Sequence, residues 1–348
     1  MTVYGERRKK LLSLAGRKQV VAMTAQNLFY LTDFYGEGAG IVFPDRTVVV
    51  TTPLEQERVR EVGIEVEGPV AVKRTDIPKV VMKHLGRGPV IVDEAKALRG
   101  KEGIVEDSAP FRQARRAKDE VELERIGKAS KGLDAIFGIL EKELKPGRTE
   151  WEVASGIMKV ATERELTPSS SDSSLSPVIV ASGENGALPH SELSGRKIKR
   201  GDFVVADIFF RYQGYNSDAT RTFAVGTSTS QMRRDYSAVL AAHEAALLRT
   251  RTGEVCEQVH WAAIDVLREH DLDRYMNHSL GHGVGIDIHE EPGLRPNNRS
   301  RLLTGDVVTD EPGVYKKGKY GIRIEDTLKV GSKPVLMTKF TRDLITCG

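Results

Sequence analysis

The chain has 348 residues, 39% of them hydrophobic and 29% charged, with a formal net charge of +3. That length is too great for one ordinary core and suits two globular domains, and no apolar run is long enough to cross a bilayer. The two cysteines, Cys256 and Cys347, lie far apart and outside any CxxC pair, which argues against a disulfide framework and a thiolate zinc site.

The amino end, residues 1–10, is polar and charged with no apolar segment behind it. It does not read as a secretory signal, so a cytoplasmic setting is expected. Basic residues are interleaved with acidic ones, as in Lys118-Asp119-Glu120-Val121-Glu122. That looks like a solvated helix face rather than a basic stripe with aromatics, and no nucleic-acid or membrane partner is expected.

Residues 20–23, 40–43, 47–51 and 89–92 are short β-branched or apolar runs and read as strands. Residues 54–62 and 77–85 between them carry helical spacing. Together they predict a small α/β domain over residues 1–115. A larger domain then occupies 116–348. It opens on a long amphipathic helix over 118–144, with apolar residues at Leu123, Ile126, Leu133, Ile136, Leu140 and Leu144, stopped by Pro146-Gly147. A second helix is expected over 150–163, a Ser- and Pro-rich loop over 167–176, and two more helices over 231–250 and 254–270. Strands fill most of the rest.

One internal repeat stands out. Gly201-Asp202-Phe203-Val204-Val205-Ala206-Asp207 parallels Gly305-Asp306-Val307-Val308-Thr309-Asp310-Glu311. Each begins Gly-Asp, passes through an apolar strand and ends on a carboxylate, and each is followed by a turn and a second strand bearing another carboxylate. The second domain therefore reads as two related halves.

In the first half, a turn at Gln213-Gly214 sets Asp207 opposite Thr220, with Asp218 the diagonal neighbour of Asp207 on the same face. Carboxylates that close repel unless a cation or a shared proton separates them. In the second half, a turn centred on Gly318 sets Glu311 opposite Glu325, distorted by Pro312-Gly313. Arg323, two residues from Glu325, shares its face. Between the hairpins, Asn277 to Glu290 carries His278, His282 and His289, and glycines flank His282 so that backbone can approach closely. Four carboxylates with one imidazole form a hard, oxygen-rich set, better suited to two manganese, cobalt or similar ions than to a tetrahedral structural zinc.

Other chemistries lack their residues. His289-Glu290 is followed by Glu291-Pro292, and His243-Glu244 has Leu247 where a second histidine would complete HExxH. There is no Walker loop and no serine nucleophile elbow, and Gly36 to Gly40 is a weak dinucleotide candidate.

The chain resembles the creatinase/prolidase/methionine-aminopeptidase family, whose catalytic domain is the pita-bread fold. The resemblance rests on Asp207 in a strand, Ser217-Asp218-Ala219-Thr220-Arg221-Thr222, Gly281-His282-Gly283-Val284-Gly285, His289-Glu290-Glu291-Pro292, Glu311-Pro312-Gly313-Val314-Tyr315 and Gly321-Ile322-Arg323-Ile324-Glu325-Asp326. Upstream, Asn185-Gly186-Ala187-Leu188-Pro189-His190 is similar to the family's catalytic histidine segment. The part that includes Asn27-Leu28-Phe29-Tyr30-Leu31-Thr32 looks like the extra domain of the proline-directed members.

The resemblance implies an α+β protein, a pita-bread catalytic domain preceded by a smaller creatinase-like α/β domain. It implies Asp207, Asp218, His282, Glu311 and Glu325 as ligands of two divalent ions (manganese or cobalt, with zinc as the alternative), Asp218 and Glu325 bridging both. His190, His278 and His289 would contact the substrate and the tetrahedral intermediate, Glu311 would shuttle protons, and Arg323 would belong to the catalytic group. The implied activity is cleavage of the first peptide bond of Xaa-Pro dipeptides by a homodimer. The alternatives are an Xaa-Pro aminopeptidase acting on longer peptides and a non-catalytic binding module on the same fold. Two departures stand out: Phe209-Phe210 replace a usual small Gly-Ala pair, and Asp310 stands where an apolar residue is usual. Strand alternation should point Asp310 away from the ions, where a buried acid needs a partner.

Overall fold

The computed structural model describes residues 2–16, 18–62, 66–67, 73–95, 98, 101–169 and 176–348. The chain divides into two compact units, Met1–Arg115 and Arg116–Gly348.

The first unit is built on a mixed sheet in the order β4-β3-β2-β1-β5-β6, from β1 (Gln19–Ala22), β2 (Gly38–Val42), β3 (Thr47–Thr51), β4 (Val66–Glu67), β5 (Val90–Val92) and β6 (Ile104–Glu106). Its helices are α1 (Val3–Leu14), α2 (Ala25–Thr32), α3 (Gln56–Glu61), α4 (Ile77–His84) and α5 (Ala109–Arg116), whose last residue opens the second unit. The four predicted strands and two predicted helices coincide with β1, β2, β3, β5, α3 and α4. Helices α1, α2 and α5 were not anticipated. In α1 the buried positions include Arg7 and Arg8, whose guanidinium groups donate to the carbonyls of Tyr30 at 2.8 Å and Asp45 at 2.9 Å, so the inward face does not look apolar in sequence. Asp93 ties the end of β5 to the start of α2, accepting from the Met23 and Thr24 amides, the Thr24 hydroxyl and the Asn27 amide group.

The second unit begins with α6 (Glu120–Glu143) and α7 (Glu150–Glu163), each started by a capping box, Asp119 with Glu122 and Thr149 with Glu152. These pack on the sheet of β7 (Thr167–Pro168), β8 (Val178–Ser182), β9 (Phe203–Tyr212) and β10 (Tyr215–Val225). The segment expected as a loop over 167–176 thus contributes a two-residue edge strand, β7, paired with β9, and its residues 170–175 lie outside the described residues. Helices α8 (Ser230–Arg249) and α9 (Cys256–Glu269) follow, then β11 (Gly281–Gly283), β12 (Glu290–Leu294), β13 (Val307–Asp310), β14 (Gly313–Lys316), β15 (Tyr320–Arg323), β16 (Asp326–Lys329), β17 (Val335–Leu336) and β18 (Thr346–Cys347). The α8–α9 pair shares a core with this second sheet, ordered β12-β11-β13-β16-β17. Both cysteines are free and buried.

The internal repeat is structural. Gly201 and Gly305 both sit at φ +90°. Their amides donate to Val225 and Val330 carbonyls at 2.7 and 3.0 Å. Asp202 and Asp306 accept from the Lys199 and Leu303 amides, each at 2.8 Å. Each aspartate also holds an arginine, Arg196 in the first half and Arg116 in the second. Each half is therefore two helices on a carboxylate-bearing sheet. Among the described residues no helix is long and apolar enough to cross a membrane.

Candidate active site

The first hairpin has the predicted register. Gln213 and Gly214 both take positive φ, 44° and 84°, as a two-residue turn of the primed type requires. Thr220 then pairs with Asp207, and Asp218 with Phe209. The second hairpin keeps its register but is broken where it matters. Gly313 pairs with Arg323, and Asp310 pairs with Asp326, while Glu311-Pro312 and Ile324-Glu325 fall outside the ladders. Glu325 leaves the hairpin to bridge Thr220 of the first half. Its amide donates to the Thr220 carbonyl at 3.0 Å, and the Thr220 hydroxyl donates to Glu325 Oε2 at 2.7 Å.

This seam gathers Asp207, Asp218, His282, Glu311 and Glu325 around one cavity of about 440 Å³, also lined by His190, His278, His289 and Arg323. Ligand atoms of Asp218, His282 and Glu325 lie within 4.8 Å of one another. His282 Nε2 is 3.5 Å from Glu311 Oε1 and 3.8 Å from Asp218 Oδ2. Its Nδ1 donates to the Gly283 carbonyl at 3.1 Å, which leaves the Nε2 lone pair facing the carboxylates. Close backbone approach does require the flanking glycines: a Cβ on Gly281 would strike the Thr309 carbonyl, and one on Gly283 the Glu291 carbonyl.

The carboxylates of the cluster outnumber the buried Arg323 guanidinium that pairs with Asp207. Burial, then the charge of Asp207, pushes Glu325 up to about 8. Burial and the charges of Glu325, Asp207 and Glu311 raise Asp218, and burial with Glu325 raises Glu311. Burial, with His289 beside it, holds His282 down to about 3, so it is a neutral donor ligand. Buried oxygens Asp207 Oδ1, Asp218 Oδ1 and Glu325 Oε1 have no hydrogen-bond partner. Buried polar atoms are almost always paired, so three orphaned carboxylate oxygens on residues that share one cavity with the His282 imidazole fit divalent cations well.

Arg323 is buried and positions this group. It binds Asp207, donates from Nε to Thr220 Oγ1 at 3.0 Å, and donates to the Tyr315 hydroxyl at 2.8 Å. Tyr315 lies 3.0 Å from His278 Nε2, and His278 Nδ1 lies 2.7 Å from the Ser279 carbonyl. Both His278 nitrogens are thus engaged within the protein. His190 and His289 are exposed at the cavity, and the His289 ring lies 4.2 Å from that of His282. The loop before His289 is held by Glu290, which accepts from the Asp287 amide at 3.0 Å and pairs with buried Lys118 at 3.0 Å.

Both departures find their places. Phe209 reaches the cavity wall and Phe210, its strand neighbour, the core. Asp310 points away from the cavity and is fully buried against His243, with Nδ1 at 3.3 Å, while His243 Nε2 lies 3.1 Å from Asp326. Thr220, Tyr315 and His243 are the participants the sequence did not single out. Thr220 was placed opposite Asp207 and Tyr315 lay in a quoted motif, but nothing local marks His243 as the partner of Asp310.

Two related halves closing on a carboxylate cavity define the pita-bread fold. The chain belongs to metallopeptidase family M24, whose model matches residues 124–332. It is 40% identical over 221 residues to a probable dipeptidase PepE of Mycobacterium tuberculosis, a match covering 63% of this chain and 57% of the length of that relative. With the Xaa-Pro dipeptidase of Pyrococcus furiosus it shares 32% identity, over 92% of each chain. The solved structure of an Xaa-Pro dipeptidase from Bacillus anthracis superposes with a TM-score of 0.91 at 28% identity, covering 99% of both chains.

Proposed function

We propose that this chain is a metal-dependent exopeptidase that cleaves Xaa-Pro dipeptides. The observation that carries the metal half of this reading is the gathering of Asp218, His282 and Glu325 ligand atoms within 4.8 Å, with unpartnered oxygens on Asp207, Asp218 and Glu325. On this reading Asp207, Asp218, His282, Glu311 and Glu325 hold two divalent ions, manganese or cobalt, with zinc as the alternative. When bound, such ions supply Lewis acidity and an activated water near neutral pH.

The chain's own residues do the rest. Glu311, a mostly buried carboxylate on the cavity wall, is suited to hold and pass a proton. His190 and His289, exposed at the cavity, donate to the carbonyl oxygen as it gains charge. His278, with both nitrogens taken, holds Tyr315 and through it Arg323. Arg323 fixes Asp207 and acts as a positioning residue. The homodimer expected from the resemblance and the cytoplasmic setting expected from the sequence belong to the same reading.

Arg295 supports the restriction to dipeptides. A dipeptide ends in a carboxylate one residue past the cut, and an enzyme limited to dipeptides needs a cation there. Arg295 lines the cavity and folds back over Gly293, its Nε 3.2 Å from where a Cβ on Gly293 would stand. Its guanidinium group thus occupies space that a side chain at Gly293 would fill. The test compares Xaa-Pro with Xaa-Pro-Xaa-Xaa peptides for the unmodified protein and for Arg295→Ala. The expected result is preference for dipeptides and a raised KM for them in the variant. Equal efficiency on both lengths, with no effect of Arg295→Ala, would instead identify an aminopeptidase.

A further inference from the structure

We propose that Ile179 and Phe209 form the wall that receives the side chain of the substrate's first residue, and that Phe209 limits that residue to small and medium apolar groups. The proposal rests on the dipeptidase reading for the direction in which substrate lies.

Alternation along β9 puts Asp207 and Phe209 on one face and Ile208 and Phe210 on the other, in the core. Across the ladders, Ile179 on β8 pairs with Asp207, and Phe209 pairs with Asp218 on β10. Two apolar side chains therefore adjoin two carboxylates of the candidate centre. Ile179 keeps 2% of its surface exposed and Phe209 5%, and both line the cavity.

Strand order gives the direction. It runs β8-β9-β10, crosses the Thr220–Glu325 bridge to β16, and continues β13-β11-β12. Ile179 lies on the strand at one end of this order, and Arg295 just past the strand at the other, with the carboxylates between them. A dipeptide laid across the cavity with its carboxylate at Arg295 places its amine and first side chain on the Ile179 and Phe209 flank. That wall is apolar and stands beside carboxylates, so it penalises a negatively charged first residue. The rigid ring of Phe209 also takes up volume that a large side chain would need.

The test is a panel of Ala-Pro, Leu-Pro, Trp-Pro and Asp-Pro with the manganese-loaded protein, run in parallel on the same first residues in Xaa-Pro-Xaa tripeptides. In the unmodified protein, kcat/KM for Ala-Pro and Leu-Pro should exceed that for Trp-Pro and Asp-Pro by about tenfold or more, the usual scale for a pocket mismatch. Phe209→Ala should raise Trp-Pro relative to Ala-Pro by about tenfold and leave Asp-Pro poor. Phe209→Leu should shift the ranking less but in the same direction, and it serves if the alanine variant does not fold. An unchanged ranking in a folded, active variant overturns the proposal, as does a shift confined to the second residue, read from Ala-Pro against Ala-Ala. Cleavage of tripeptides alone, with the ranking shift intact, removes the dipeptide reading and leaves the wall standing. Failure to cleave either series overturns both.

Discussion

Thr220 and Glu325 hold each other twice, by a main-chain bond of 3.0 Å and by a hydroxyl-to-carboxylate bond of 2.7 Å. The pair joins the two halves at the point where the second hairpin's ladder breaks. The same hydroxyl accepts from Arg323 Nε at 3.0 Å, so Thr220 orients both an acid of the candidate centre and the arginine that holds Asp207. Thr220→Val keeps the shape and removes the hydroxyl. Manganese affinity, measured by calorimetry, should fall about 10–100-fold, as when a partner of a metal ligand is lost. Thr220→Ser should recover most of it.

The crowded carboxylates make a pH prediction. An acid whose folded pKa is raised binds more protons folded than unfolded, so the metal-free protein loses stability as pH rises from the ordinary carboxylate range through the Glu325 value of about 8. A bound cation removes that repulsion. Thermal melts with and without manganese should show a stabilisation of several degrees more at about pH 8 than at about pH 5.5. Equal stabilisation at both would contradict the electrostatic account.

His243 makes the opposite side of the site a second test. Burial lowers it, but Asp310 and then Asp326 outweigh burial and raise it to about 9. Asp326 is lowered, by Arg221 and then His243 against burial, whereas burial prevails at Asp310 and raises it. His243 is thus held between both acids, the Asp326 contact at 3.1 Å and the Asp310 contact at 3.3 Å. A histidine with a raised folded pKa stabilises fully below the unfolded value and loses that contribution as pH rises through the folded one. The difference in stability between the unmodified protein and His243→Leu should be about 3 kcal/mol near pH 6. It should shrink as pH climbs through about 9. Asp310→Val added to His243→Leu should recover part of the loss.

How much of this was readable in the sequence follows from range. Both hairpin registers were legible, because a turn residue and an alternating strand fix which side chains face each other, as at Asp207 and Thr220. The outward orientation of Asp310 followed from the same alternation. The Glu325 bridge to Thr220 was not legible, because it joins two hairpins that are separate in sequence, and ladder arithmetic within one hairpin cannot report a strand that leaves it. The role of His243 was not legible for the same reason: it sits on α8, and only packing brings it between Asp310 and Asp326. Helix α1 escaped because Arg7 and Arg8 occupy buried positions that a periodicity search expects to be apolar.

The exposed histidines should separate binding from turnover. His190→Ala and His289→Ala should keep bound metal, measured by elemental analysis, and lose kcat, as expected for groups that act on the transition state. A loss of metal at unchanged turnover per ion would mean that they are ligands.

Release of free proline from Ala-Pro, followed by chromatography, tests the central claim most directly. The account predicts proline release by protein reconstituted with manganese or cobalt, none after the metal is stripped, recovery on adding it back, and neither bound metal nor turnover in Asp218→Asn. Undiminished proline release by a verified metal-free Asp218→Asn protein would contradict it.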